Sequence, residues 1–178
     1  VEVFDGLSFD LALKNPSFFK DRLPGNQYYK VLLSLYTTYH LRYFQKIPEF
    51  TLLITLDKAA LAQHGADKIV KKIRGVGGKR ARLVTNPTEA EMLWQVRRAS
   101  YSLSKFQDAT KRPAAFLEDM TVPPQNLSAF FAKVKQLLKK YRVTAAVHGH
   151  GGNGHFHFYP LLDFTKQGTA NLVEKMAD

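Results

Sequence analysis

Residues 148–157 read His-Gly-His-Gly-Gly-Asn-Gly-His-Phe-His, and no other stretch limits the fold as tightly. Glycine lets a backbone turn sharply and approach a neighbour closely. A turn at Gly151-Gly152-Asn153-Gly154 joins a strand at 144–147 to one at 155–159. Residues two apart in a strand face the same way. His148 and His150 then share a face before the turn, and His155 and His157 share one after it. The hairpin brings His150 and His157 together. The segment holds four of the chain's six histidines and four of its eleven glycines. Imidazoles at this density bind a divalent metal or move a proton near neutral pH. Two histidines from adjacent strands make half of a zinc, iron or manganese site, and a carboxylate is the expected third ligand. Asp163 is the nearest acidic residue along the chain, beyond Pro160 and two leucines. A single histidine on a strand is ordinarily a hydrogen-bonded structural residue, so a structural role stays open beside the metal and the proton.

The remaining composition narrows the partners. A chain of 178 residues that is 45% hydrophobic can bury a core, as one domain or as a piece of a larger protein. It opens at Val1 and closes soon after Lys175, so a piece of a longer chain is expected. It has no apolar run of membrane-spanning length and no signal-peptide pattern. The lack of cysteine excludes disulfides, thiolate metal sites and a cysteine nucleophile, and cytoplasm is the default setting. Lysine and arginine number 26 against 15 acidic residues, a net charge of +11. Such a surplus suits nucleic acid, anionic lipid or a small anionic substrate. The basic residues are spread over Lys68, Lys71, Lys72 and Arg74, then Lys79, Arg80 and Arg82, then Arg97 and Arg98, then 133–142. No ordered aromatic signature accompanies them, so nucleic acid is not the expected partner.

Periodicity places the elements. Residues 9–23 read as a helix disturbed at Pro16, 28–45 as a helix, and 50–56 as a strand. Residues 58–74 read as one basic amphipathic helix, stopped by Gly75, Gly77 and Gly78, with a short strand at 80–84. Thr88-Glu89-Ala90-Glu91 forms a capping box for a helix running to about Ser104. A strand at 115–122 ends at Pro123-Pro124. A helix from Asn126 or Ser128 to Tyr141 carries the stripe Phe130, Phe131, Val134, Leu137 and Leu138. A last helix starts at Thr169. Together these predict an α+β domain, with a ferredoxin-like mixed or antiparallel sheet from Phe50 onward and helices on one face. Residues 1–49 are weakly assigned to it.

The segment Gly149-His150-Gly151-Gly152-Asn153-Gly154-His155-Phe156-His157 resembles the Gly-His-x-Gly-Asp-Gly-Asn-x-His motif of the FAD-linked oxidase C-terminal domain family. That family includes D-lactate, glycolate and D-2-hydroxyglutarate dehydrogenases. Leu93-Trp94-Gln95-Val96-Arg97-Arg98 resembles its Leu-Trp-x-x-Arg, and Glu118-Asp119-Met120-Thr121-Val122-Pro123 its Glu-Asp-x-x-Val-Pro. Tyr159-Pro160-Leu161-Leu162-Asp163 is similar to the D-lactate dehydrogenase-like branch. The resemblance covers 88–163 and is weak over 1–50.

The resemblance implies that His150 and His157 bind a divalent metal beside FAD. It implies that Arg97 grips a substrate carboxylate, with Arg98, Lys111 and Arg112 as weaker candidates for the same basic pocket. A guanidinium suits that task because it can bind a carboxylate through two parallel hydrogen bonds. Asn153, Gly154 and His155 would lie near the flavin. Asn153 and His155 stand where the family has Asp and Asn. Leu117 stands where some members carry a substrate-contacting lysine, which argues against an identical dicarboxylate pocket. Glu118 and Asp119 read as ordering residues at a strand end. The family's FAD-binding domain and its later Gly-Glu-His, which supplies the third ligand and a base, are not found in these residues. The implied activity is oxidation of an anionic D-2-hydroxy acid, D-lactate-like, by an enzyme of which this is the substrate and metal domain. The implied partners are the FAD-binding domain and an electron-transfer protein or quinone at the inner face of a membrane. A homodimer is left open. The rival readings are a stand-alone histidine-rich metal module and a basic protein that binds nucleic acid or a membrane surface.

Overall fold

The structure is a computed structural model that describes residues 1–20, 22–23, 25–36, 47–78 and 81–177. Its elements in chain order are β1 (Glu2–Asp5), α1 (Gly6–Lys14), α2 (Gln27–Tyr36), β2 (Phe50–Leu53), α3 (Lys58–His64) and α4 (Ala66–Gly75). Then come α5 (Pro87–Ser104), β3 (Arg112–Pro113), β4 (Leu117–Thr121), α6 (Leu127–Tyr141), β5 (Ala145–His150), β6 (His155–Leu162) and α7 (Thr169–Ala177). The α+β class is as expected. Every strand pair among the described residues is antiparallel.

The sheet runs β2-β1-β5-β6-β3, with β4 also on β6. The strands from Phe50 onward therefore do not close the sheet by themselves. β2 reaches β5 only through β1, which pairs with both. Residues 1–49 thus supply a central strand. The buried Asp5 ties it in: its carboxylate caps α1 by accepting from Ser8 N at 2.9 Å and Ser8 Oγ at 2.7 Å. Its other oxygen accepts from Val147 N of β5 at 2.7 Å. Burial pushes the Asp5 carboxyl above its ordinary range, and these hydrogen bonds oppose the rise.

Helices cover both faces of the sheet, not one. Phe4 of β1 packs with Phe9 and Leu11 of α1, Val31 of α2, and Met92, Val96 and Leu103 of α5. On the other face Val3, Val147, Phe156 and Phe158 meet Leu127, Phe130, Phe131 and Val134 of α6. The reason is alternation: β1, β5 and β6 carry apolar residues on the second face too, and α6 keeps them from water.

Local differences from the sequence reading have local causes. Pro16 does end α1 early, and Pro16–Phe19 continues as a 3-10 turn. The basic helix is two helices, because Gly65 takes φ +70 between them. Residues 81–84 form no strand; Ala81 O accepts from Arg74 Nε at 2.9 Å, and Arg82 pairs with Glu89. Arg80 lies outside the described residues, as do 37–45 of the expected second helix. The cap of α5 is Asn86, not Thr88: its side chain accepts from Thr88 N at 2.8 Å and Glu89 N at 3.3 Å. Pro87 fits the first helical position, where no N–H is needed, and this shifts the start. None of the described helices is long and apolar enough to cross a membrane.

Candidate metal and substrate site

The β5–β6 hairpin pairs Ala146 with Tyr159, His148 with His157, and His150 with His155. All six therefore lie on the α5 face of the sheet, and the four histidines form a ladder. The turn that makes this register needs glycine twice. A Cβ on Gly149 would lie 2.3 Å from His155 O, and one on Gly154, at φ +73, would lie 1.9 Å from Val122 O. The glycines near the expected flavin position are thus required by the chain's own packing.

Within the ladder, His150, His155 and His157 each offer a nitrogen, and the three nitrogens lie within 4.8 Å of one another. His157 Nδ1 is 2.7 Å from Glu118 O and donates to it, which fixes Nε2 as the free acceptor. His150 Nδ1 is 2.6 Å from Glu2 Oε1, with the same effect. Asp119 Oδ1 lies 3.2 Å from His155 Nε2 and 3.1 Å from His157 Nδ1. A bulge in β4 between Leu117 and Met120 makes this possible, since it turns Asp119 to the histidines while Leu117 and Met120 stay on the α6 face. Imidazoles oriented by outer acceptors suit a divalent metal.

His148 stands apart. It is buried and stacks on Tyr159 with ring centroids 5.3 Å apart. Burial, aided by the positive Arg97 and the neighbouring imidazoles, drives its pKa down to about 3, so the ring is neutral at pH 7. Its place is structural, as the wall beneath the other three.

Arg97 arrives from α5. Its Nη2 is 2.8 Å from Glu2 Oε2, so Glu2 joins Arg97 to His150. Arg97 Nε is buried without a hydrogen-bond partner. Tyr101, one turn on, packs its ring 4.7 Å from that of Tyr159. Burial and the charges of Glu118 and Asp119 push the Tyr159 hydroxyl up, against Arg97.

The other expected pocket residues are not gathered here. Arg98 points away and pairs with the exposed Glu91. Neighbouring helical positions differ by about 100°, so two adjacent arginines rarely serve one site. Lys111 pairs with Asp108, and Arg112 donates to Ala109 O and Lys111 O. Arg112 pairs with Leu162, five residues along β6 from His157, or about 17 Å at strand rise. Asp163 lies past that far end, where it holds Thr165, so it is no ligand. Asn153 lies in the exposed turn, its N–H donating to His150 O at 3.2 Å. Glu2 is the residue that the sequence did not offer. Its signal was slight: one acid in the alternating run Val1-Glu2-Val3-Phe4. A groove of about 460 Å³ lies on the α6 face between Phe50, Phe131, Val134 and Leu138, remote from this chemistry.

Residues 2–178 match the family of FAD linked oxidases, C-terminal domain. The chain belongs to that family. A D-2-hydroxyglutarate dehydrogenase of Pseudomonas putida is 31% identical over 86 residues, which are 48% of this chain and 8% of that protein. Enzymes of the same name from Haemophilus influenzae and Escherichia coli are each 26% identical over 88 residues, 49% of this chain and 9% of theirs. The chain thus matches a small part of the length of these relatives. Their shared name is D-2-hydroxyglutarate dehydrogenase, whereas the sequence reading expected the D-lactate branch from the Tyr159-to-Asp163 stretch.

Proposed function

We propose that this domain presents substrate and metal to the flavin of an FAD-dependent dehydrogenase that oxidises a D-2-hydroxy acid to the 2-oxo acid. The observation that carries this is the juxtaposition of His150 and His157 with Arg97 through Glu2. The family membership supports it, and the name of the relatives supports the substrate class.

A bound flavin would supply hydride acceptance opposite the substrate Cα, and a bound divalent metal would supply Lewis acidity. His150 and His157 would hold that metal, with Nε2 the nitrogen left free on each ring. Glu2 and Glu118 O keep both rings in the tautomer that leaves Nε2 free. Arg97 meets the substrate carboxylate through its second amino group, beyond the Glu2 bond. Tyr159, His148 and Tyr101 pack beneath and keep the floor rigid. The hydroxyl proton leaves to a base that is assigned to no described residue of this chain.

Leu117 favours a small monocarboxylate such as D-lactate. The position where some members have a substrate-contacting lysine faces α6 here, away from the histidines. The reading carries a cytoplasmic enzyme, peripheral at most to a membrane's inner face, with a quinone or a redox protein as acceptor. The test is dye reduction by the full-length enzyme with D-lactate and D-2-hydroxyglutarate. Arg97→Ala should lower kcat/KM by about 10–100-fold, the worth of a charged hydrogen bond. Unaltered turnover by Arg97→Ala, or no turnover of either acid by wild type, would sink the proposal.

A further inference from the structure

We infer that His155 is a third metal ligand, so that His150, His155 and His157 form a three-histidine site complete within this chain. The inference rests on the metal-binding part of the function proposed above. It differs from the pattern implied by the resemblance, in which the third ligand is a glutamate and His155 corresponds to an asparagine.

Four observations carry it. His155 is the register partner of His150, and it shares a strand face with His157. The ring centroids are 5.6 Å apart for His150 and His155, 4.8 Å for His155 and His157, and 5.8 Å for His150 and His157. One nitrogen of each ring lies within 4.8 Å of the others, and ordinary rotamer motion brings such a triangle to zinc-ligand spacing. Each ring also has an outer acceptor: Glu2 for His150, Asp119 for His155, and Glu118 O together with the shared Asp119 for His157. With Nε2 on Asp119, His155 offers Nδ1.

The exposure of the three side chains, 46% for His150, 31% for His155 and 18% for His157, leaves the fourth position open to solvent. Three protein ligands and one exchangeable position are the arrangement of catalytic rather than structural zinc. A substrate oxygen could occupy that position. Asparagine at 155 would offer a weaker neutral oxygen and would require a ligand from elsewhere.

The experiment is zinc and cobalt(II) titration of the 178-residue chain by calorimetry, joined to X-ray absorption at the zinc edge. Wild type should bind one ion, with three imidazoles in the scattering shell. His155→Asn should weaken binding by more than about 100-fold, beyond what loss of an outer hydrogen bond costs. Circular dichroism confirms that each variant is folded. If His150→Ala and His157→Ala lose the ion while His155→Asn binds as wild type does, the two-histidine reading stands and this inference falls. Two imidazoles in the wild-type shell overturn it as well. A folded wild type that binds no ion removes both.

Discussion

The two faces of the β5–β6 hairpin are made from the same two strands, of 6 and 8 residues, and do opposite work. One face carries His148, His150, His155, His157 and Tyr159; the other carries Val147, Phe156 and Phe158 under α6. Strand alternation alone separates them, because neighbours in sequence point to opposite sides. The apolar face is built on aromatic contacts: the Phe131 ring lies 5.0 Å from that of Phe156 and 5.9 Å from that of Phe158. The histidine face is open at its tip and filled with polar contacts to β1 and β4. Stability can therefore be lodged on one side and chemistry on the other, with each tunable without the other.

Three substitutions break or sharpen that contrast. Phe158→Ala strikes the packed face and should cost about 3–5 kcal/mol in urea unfolding. The protein that remains folded should keep its metal affinity; a parallel loss of affinity would show that the faces are coupled. Asp119→Asn strikes the open face. Titration against a chromophoric chelator should show about a 10-fold loss of metal affinity, as for outer partners generally, with the melting curve little changed. Arg98→Ala touches neither face. Its pair with Glu91 is exposed, so stability should move by less than about 0.5 kcal/mol, and KM should not move at all. A raised KM there would erase the distinction drawn between Arg97 and Arg98.

What was legible in the sequence follows the range of each signal. The hairpin, its histidine faces, α6 and the end of α5 rest on local patterns of glycine, alternation and helical period, and those patterns held. The cap of α5 was displaced by two residues because Asn86-Pro87 outcompetes Thr88. The break at Gly65 needed a left-handed glycine that period alone does not reveal. β1 was not legible as a sheet strand, since four residues carry little periodicity and one of its two partner strands, β5, lies near residue 148. Glu2 was hidden with it. Lys111 and Arg112 misled because closeness in sequence to the motifs is not closeness along β6.

The position of β1 also orders the making of this protein. Asp5 and Val147, joined by a hydrogen bond, stand 142 residues apart. Closing a loop of that length costs about 4 kcal/mol of chain entropy. On the ribosome, β1 emerges before β5 and cannot take its central place until β5 has been synthesised. Until then Phe4 and Val3 must be sheltered by other means, and Glu2 cannot reach His150.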